Sequence, residues 1–162
     1  MKETVVNKTG GKEVPVLCDG KEVLRWKYND GGRREAGFKG EAGDCVARAI
    51  AIAMDRPYRD VYDDLNSFAK EFERQRKRKS SARTGYQVDT LRAYMEKQGW
   101  RWVPTMQVGQ GCKVHLRADE LPRGRIIVRL SKHVAAVVNG VLHDTYDSSR
   151  RGTRCVYGYF EK

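Results

Sequence analysis

"SKHVAAVVNGVLHDTYD", Ser131 to Asp147, sets Asn139-Gly140 between two apolar runs. That dipeptide is the strongest short signal for a two-residue type I′ hairpin, because both central residues must accept positive φ. The turn sets the register: Val138 faces Val141, Ala135 faces Asp144 and His133 faces Tyr146. Side chains alternate across a strand, so His133, Ala135, Asp144 and Tyr146 share one face. His133 and Asp144 become diagonal neighbours, within reach of a carboxylate–imidazole contact. Asp147 and His143 have the opposite parity, so Asp144 is the carboxylate expected to serve His133.

Working outward, "RWVPTM", "RIIVRL", "HVAAVV", "VLHDTYD" and "CVYGYF" are short, β-rich and separated by turn residues, which predicts about five strands after Trp100. "RADELPRG" connects two of them. Upstream the period changes to that of a helix. In "GDCVARAIAIAM", Gly43 to Met54, the residues Val46, Ile50 and Ala53 recur on one face, and Asp44 is placed as N-cap. The helix is expected to stop near Asp55, before Pro57. A second helix is expected from Pro57 to Phe72. A third is expected over "VDTLRAYMEKQG", with Gly99 as its stop signal. Between them, Ser80 to Gly85 reads as a flexible loop. At the start, "VPVLCDGKEVLRW" reads as a hairpin around Asp19-Gly20, and "NDGGRREAGFKGEAG" as a glycine-rich loop leading to Cys45.

Helices followed by strands indicate an α+β fold with an antiparallel sheet. The 162 residues suit a single domain, 1–162. Residues 1–43 form its N-terminal hairpin and loop, 44–99 its helical part and 100–162 its sheet part. No apolar run reaches the roughly 18 residues needed to span a bilayer. The start, "MKETVVNKTGGKEV", lacks the apolar stretch of a signal peptide. A cytoplasmic protein without membrane contact is expected.

The four cysteines, at 18, 45, 112 and 155, form no CxxC pair, and free thiols are the expectation for an intracellular chain of this length. Cys112 and His115 are spaced like half a zinc site, but no second half follows. No metal and no cofactor is therefore expected. His115 and His143 read as surface histidines, and Trp26, Trp100 and Trp102 as core or cleft-wall residues.

The formal charge is +11. From Lys70 to Arg83, seven Lys or Arg face two Glu. Arg74, Arg76, Lys77, Arg78, Lys79 and Arg83 form a possible patch for an acidic partner or nucleic acid, as well as a solvated surface.

Cys45 sits at a predicted helix N-terminus, where free N–H groups and the helix dipole favour the thiolate. A nearby imidazole can lower the thiol pKa further and carry its proton. A carboxylate on the other ring nitrogen fixes tautomer and orientation. These are the three roles of a thiol acyl-transfer triad.

"GDCVARAIAIA" with "HVAAVVNGVLHD" resembles the papain-like cysteine peptidases, closest to the double-glycine leader peptidases of bacteriocin exporters and to related uncharacterised bacterial and phage proteins. The resemblance covers roughly residues 40–160. It implies a Cys-bearing helix packed on an antiparallel sheet, with the site in the cleft between them. It implies Cys45 as nucleophile, His133 as general base and then acid, and Asp144 as the residue orienting His133. The implied activity is cleavage of a peptide, amide or isopeptide bond in a peptide or protein, with deamidation or acyl transfer by the same acyl-enzyme. The family usually carries a Gln about six residues before the Cys; here that position is Lys39. Losing one oxyanion donor costs roughly 2.7–4 kcal/mol, and Asn29 or a glycine N–H of the 31–43 loop is the expected substitute. The alternative function is a weak or inactive papain-like scaffold acting as a basic binding module.

Overall fold

The computed structural model describes residues 10–162. The reading of Met1–Thr9 as the beginning of a chain without a signal peptide lies outside them. The Asp19-Gly20 turn forms as expected, with φ of 50° and 76°. It joins β1 (Gly10–Cys18) to β2 (Lys21–Asn29). The loop after β2 is held by Asx turns: Asn29 Oδ1 accepts from Gly31 N, and the Asp30 carboxylate accepts from Gly32 N and Arg34 N.

Three helices follow: α1 (Cys45–Ala53), α2 (Tyr58–Phe72) and α3 (Val88–Lys97). Gly99 follows α3 at φ 82° and ends it as expected. In α1, seven of nine residues are buried. A helix apolar on nearly all sides belongs in the centre of a fold, and α1 lies between α2 and the sheet. Its alanines let the neighbouring backbones come close. Ser80 to Gly85, expected as a loose loop, is a hydrogen-bonded turn: Ser81 and Gly85 exchange backbone bonds, and Asn66 caps the N–H of buried Ala82.

The remaining strands are β3 (Arg101–Pro104), β4 (Val114–His115), β5 (Arg125–Leu130), β6 (His133–Val138), β7 (Val141–Asp144), β8 (Cys155–Val156) and β9 (Gly158–Glu161). The β6–β7 hairpin has the register read from Asn139-Gly140, with Val138 opposite Val141 and Ala136 opposite His143. Val134 and Ala136 pack toward the helices, whereas Ala135 and Val137 pack into a second core on the other face. Burial on both faces explains the unbroken apolar run of β6.

The fold is α+β, with one correction to the expected sheet. It has seven strands, not five, in the order β1-β2-β7-β6-β5-β9-β3, and it is mixed. β2 pairs with β7 in parallel, so the N-terminal hairpin is part of the main sheet. "CVYGYF" divides into β8, which pairs with β4 in a small second sheet, and β9 in the main one.

That second sheet brings Cys112 and Cys155 together, with Cα atoms 5.8 Å apart, as a disulfide. The expectation of four free thiols is therefore corrected. Cys112 belongs to no metal site, and among the described residues no group of three metal-binding side chains gathers anywhere. Cys18 and Cys45 remain free. Among the described residues no helix is long and apolar enough to cross a membrane.

Gly158 opens β9 beneath the Trp102 ring. A Cβ there would lie 2.3 Å from the indole and 2.8 Å from the Val103 carbonyl. Gly158→Ala is expected to cost about 1–3 kcal/mol through overpacking, read as a fall in the thermal midpoint.

Candidate active site

Cys45 is the first residue of α1 and is half-buried. Asp44 holds the N-cap position, but its side chain makes no capping bond. Its carboxylate instead accepts from the Tyr58 hydroxyl at 2.6 Å and lies 3.1 Å from Arg33 Nε and 3.2 Å from Arg48 Nε. Neither Nε has hydrogen-bond alignment, so these two contacts are ionic rather than directional. The expectation of Asp44 as a capping side chain is thereby corrected: one hydroxyl donor and two guanidinium charges hold its carboxylate away from the free N–H groups of the helix. Among the described residues the N–H groups of Cys45 and Val46 have no acceptor. The positive end of α1 is left open beside the thiol.

His133 begins β6 and Asp144 ends β7. The Nε2–H of His133 donates to Oδ2 of Asp144 at 2.6 Å, and their side chains are 9% and 4% exposed. This leaves Nδ1 as the ring nitrogen for Cys45. Burial pushes the imidazole pKa down, but hydrogen bonds and charge from Asp144 and Cys45 outweigh it and hold it up at about 9. Burial pushes the Cys45 thiol up, but the His133 hydrogen bond and charge, the Val134 backbone N–H and the Arg48 charge bring it below its ordinary value. Both shifts favour a thiolate–imidazolium pair.

Asp144 is itself held on several sides. Ser148 Oγ donates to Oδ2 at 2.7 Å and Thr145 N to Oδ1 at 2.8 Å. Trp26 Nε1, from β2, donates to the Asp144 carbonyl at 3.2 Å. Arg48 reaches from α1 to Thr145 Oγ1 at 2.7 Å and stands 3.7 Å from Oδ1 of Asp144. It thus ties the helix of Cys45 to the strand end of Asp144. These supporting residues were not found by reading the sequence. Arg48 had a signal, since it stands four residues after Asp44. Ser148 follows Asp144 by four. Trp26 had none, because the parallel β2–β7 pairing is not a local feature.

Tyr146 packs beside His133, ring centroids 5.4 Å apart and planes tilted by 43°, as the hairpin register predicts. His143 is half-buried rather than at the surface, and accepts at Nδ1 from Asn29 Nδ2 at 3.0 Å. Burial and the Lys27 and Arg125 charges hold its pKa down at about 4, so it stays neutral. Asn29 is buried against His143 and Gly31 and does not line the cleft that holds Cys45, which removes it as an oxyanion donor. Lys39 offers only its carbonyl, to Arg33. Of the glycines from 31 to 43, Gly43 alone lines the cleft. His115 is half-buried beside Glu120.

Cys45 and His133 open into a cleft of about 990 Å³, walled by the turn from Arg78 to Gln87, the start of α3 and the β5–β6 end. The six cations read from sequence do not act together. Arg76 is paired with Asp89 at 2.6 and 3.1 Å, and Arg74 lies 3.5 Å from Glu71. Lys79 donates to the Glu73 and Arg74 carbonyls and Arg83 to the Glu41 carbonyl. Only Arg78 and Lys79 line the cleft; Lys77 is exposed outside it. The three tryptophans do not line it. Comparison of the chain with protein-family models, curated proteins and solved structures finds no match.

Proposed function

We propose that this chain is a papain-like thiol hydrolase that cleaves an amide bond in a peptide or protein. The observation that carries the reading is the convergence of Cys45, His133 and Asp144 from three elements, with the imidazole held between thiol and carboxylate. The Cys45 thiolate attacks the carbonyl carbon and forms the C–S bond, while the carbonyl oxygen takes the negative charge. The Cys45 N–H donates to that oxygen. Gly43, next to Cys45 in the cleft, is the second backbone donor in this scheme. As the intermediate collapses, the C–N bond breaks and the His133 imidazolium gives its proton to the leaving amine. Neutral His133 then takes a proton from water, the hydroxide attacks the thioester, and the thiolate leaves. The product acid and the thiolate–imidazolium pair are regenerated. Asp144 keeps the ring oriented throughout.

Iodoacetamide labelling near neutral pH tests this reading. Cys45 is expected to alkylate faster in the folded protein than in urea, because its thiolate is stabilised. Peptide hydrolysis, measured with a fluorogenic library, is expected to vanish in Cys45→Ala. A folded thiol that reacts no faster than the unfolded one, with cleavage surviving Cys45→Ala, overturns it.

A further inference from the structure

The cleft gathers cations that the triad does not use. Arg78 and Lys79 come from the turn after α2, Arg92 from α3, and Arg129 and Lys132 from β5 and the turn before His133. None of these five has a carboxylate within ion-pair distance among the described residues. The one acid lining the cleft, Asp89, is held in a two-point pair by Arg76 from outside it. Glu73 is fully buried behind the wall, and its carboxylate is taken by Ser80, Thr90 and Gln87. The guanidinium of Arg92 lies over Trp102 and that of Arg129 over Tyr157, at 5.9 and 5.8 Å from the ring centroids. Those contacts hold both charges in place without neutralising them.

A cleft with low-dielectric walls and charge of one sign concentrates a ligand of the opposite sign. We propose that the cleft binds an acidic polypeptide, whose Asp or Glu side chains pair with Arg78, Arg92, Arg129 and Lys132 as its backbone crosses Cys45. The substrate class rests on the hydrolase reading above. A polypeptide fits better than nucleic acid because the cleft has no base-stacking platform. Among the described residues Tyr86 is the one Phe, Tyr or Trp that lines it, half-buried and tied to Asn66 through its hydroxyl, and the His133 ring is taken up by Asp144 and Cys45. The charge also lies beside the reacting atoms, so it selects sequence near the scissile bond instead of acting as a remote anchor.

The test uses fluorescence anisotropy on the full chain carrying Cys45→Ala, with three fluorescein-labelled probes. These are a peptide of alternating Glu and Gly, a Gly/Ser peptide of equal length, and oligothymidylate of matched length. The Glu peptide is expected to bind, and to weaken by about tenfold between about 50 and about 200 mM salt. Arg92→Ala/Arg129→Ala/Lys132→Ala is expected to weaken it by about tenfold or more. Arg74→Ala/Lys77→Ala/Arg83→Ala removes the same net charge outside the cleft and is expected to change binding by less than about twofold. Equal loss in both triple variants, equal binding of the Gly/Ser peptide, or tighter binding of oligothymidylate overturns the acidic-polypeptide assignment. None of these outcomes touches Cys45 alkylation in the unmutated chain. A Cys45 that alkylates no faster than in urea overturns the hydrolase, and the peptide's role as substrate with it, but leaves the anisotropy unchanged.

Discussion

In His133→Ala, Cys45 is expected to lose its reactivity toward iodoacetamide at pH about 6 by about tenfold or more, while the wild-type thiol stays reactive. Burial raises the Cys45 pKa, and the His133 contacts are the largest of those that lower it. Without the imidazole the thiol rises to its ordinary value or above, where only about 0.3% is ionised at pH about 6. Losing the imidazole therefore lowers the thiolate fraction at that pH. The more basic thiolate is intrinsically the better nucleophile, which offsets part of the loss. The net loss is read directly as an alkylation rate. Hydrolysis suffers more, by about four orders of magnitude or more, because the leaving amine also loses its acid. The pH profile of the unmutated chain is expected to have the matching form, with hydrolysis rising as Cys45 ionises below its ordinary range and falling as His133 loses its proton at about 9. A profile that instead rises through the ordinary thiol range would show that no ion pair forms.

Glu73→Ala is expected to be the most destabilising change in the cleft wall, at about 3–5 kcal/mol, or a fall of about 10 °C in thermal midpoint for a chain of this size. Glu73 is completely buried, one residue past α2. It accepts from Ser80 N at 2.5 Å, Ser80 Oγ at 2.6 Å, Thr90 Oγ1 at 2.5 Å and Gln87 Nε2 at 3.3 Å. Removing the carboxylate leaves the buried Thr90 hydroxyl and the half-buried Ser80 and Gln87 donors without it, and opens a cavity. Burial pushes the Glu73 carboxyl up, but the Ser80 and Thr90 hydrogen bonds and the Arg76 charge bring it below its ordinary value. A lowered pKa means the stabilisation is present above the ordinary Glu range and is lost as pH falls through the depressed value. Differential scanning calorimetry across that range checks the sign. Glu73→Ala should abolish this part of the acid sensitivity, and a thermal midpoint within about 2 °C of wild type would refute the role.

The β6–β7 hairpin and α1 were legible because their signals are local: a turn dipeptide sets the register, and an apolar period sets the helix. These signals put Cys45 at the start of α1 and His133 and Asp144 at the open end of the hairpin, but parity alone groups His133 with Ala135, which packs away from α1. What escaped was non-local. The parallel pairing of β2 with β7 has no signature in either strand, so the sheet was read as five-stranded and Trp26 as only a core or wall residue. The Cys112–Cys155 pair depends on β4 meeting β8, two strands of two residues each that are too short for any periodicity to register. Asp44 shows a third kind of miss. Its position at the helix start was right, but capping propensity cannot anticipate that Arg33, Arg48 and Tyr58 converge on the same carboxylate. The basic segment was legible as charge and not as a surface. Only folding separates Arg78 and Lys79, inside the cleft, from Arg74, Lys77 and Arg83 outside it.

The disulfide also divides the molecule covalently. It links positions 43 apart, so β5, β6 and β7 lie on a closed ring of chain. His133 and Asp144 are members of that ring and Cys45 is not. The exposed Arg150-Arg151 turn, where both residues have positive φ, is also inside it. A nick at that turn opens the ring without releasing a fragment, and only reduction separates the two pieces. Imidazole and carboxylate thus share one closed covalent ring, whereas the Cys45 thiol is brought to them from outside it by folding.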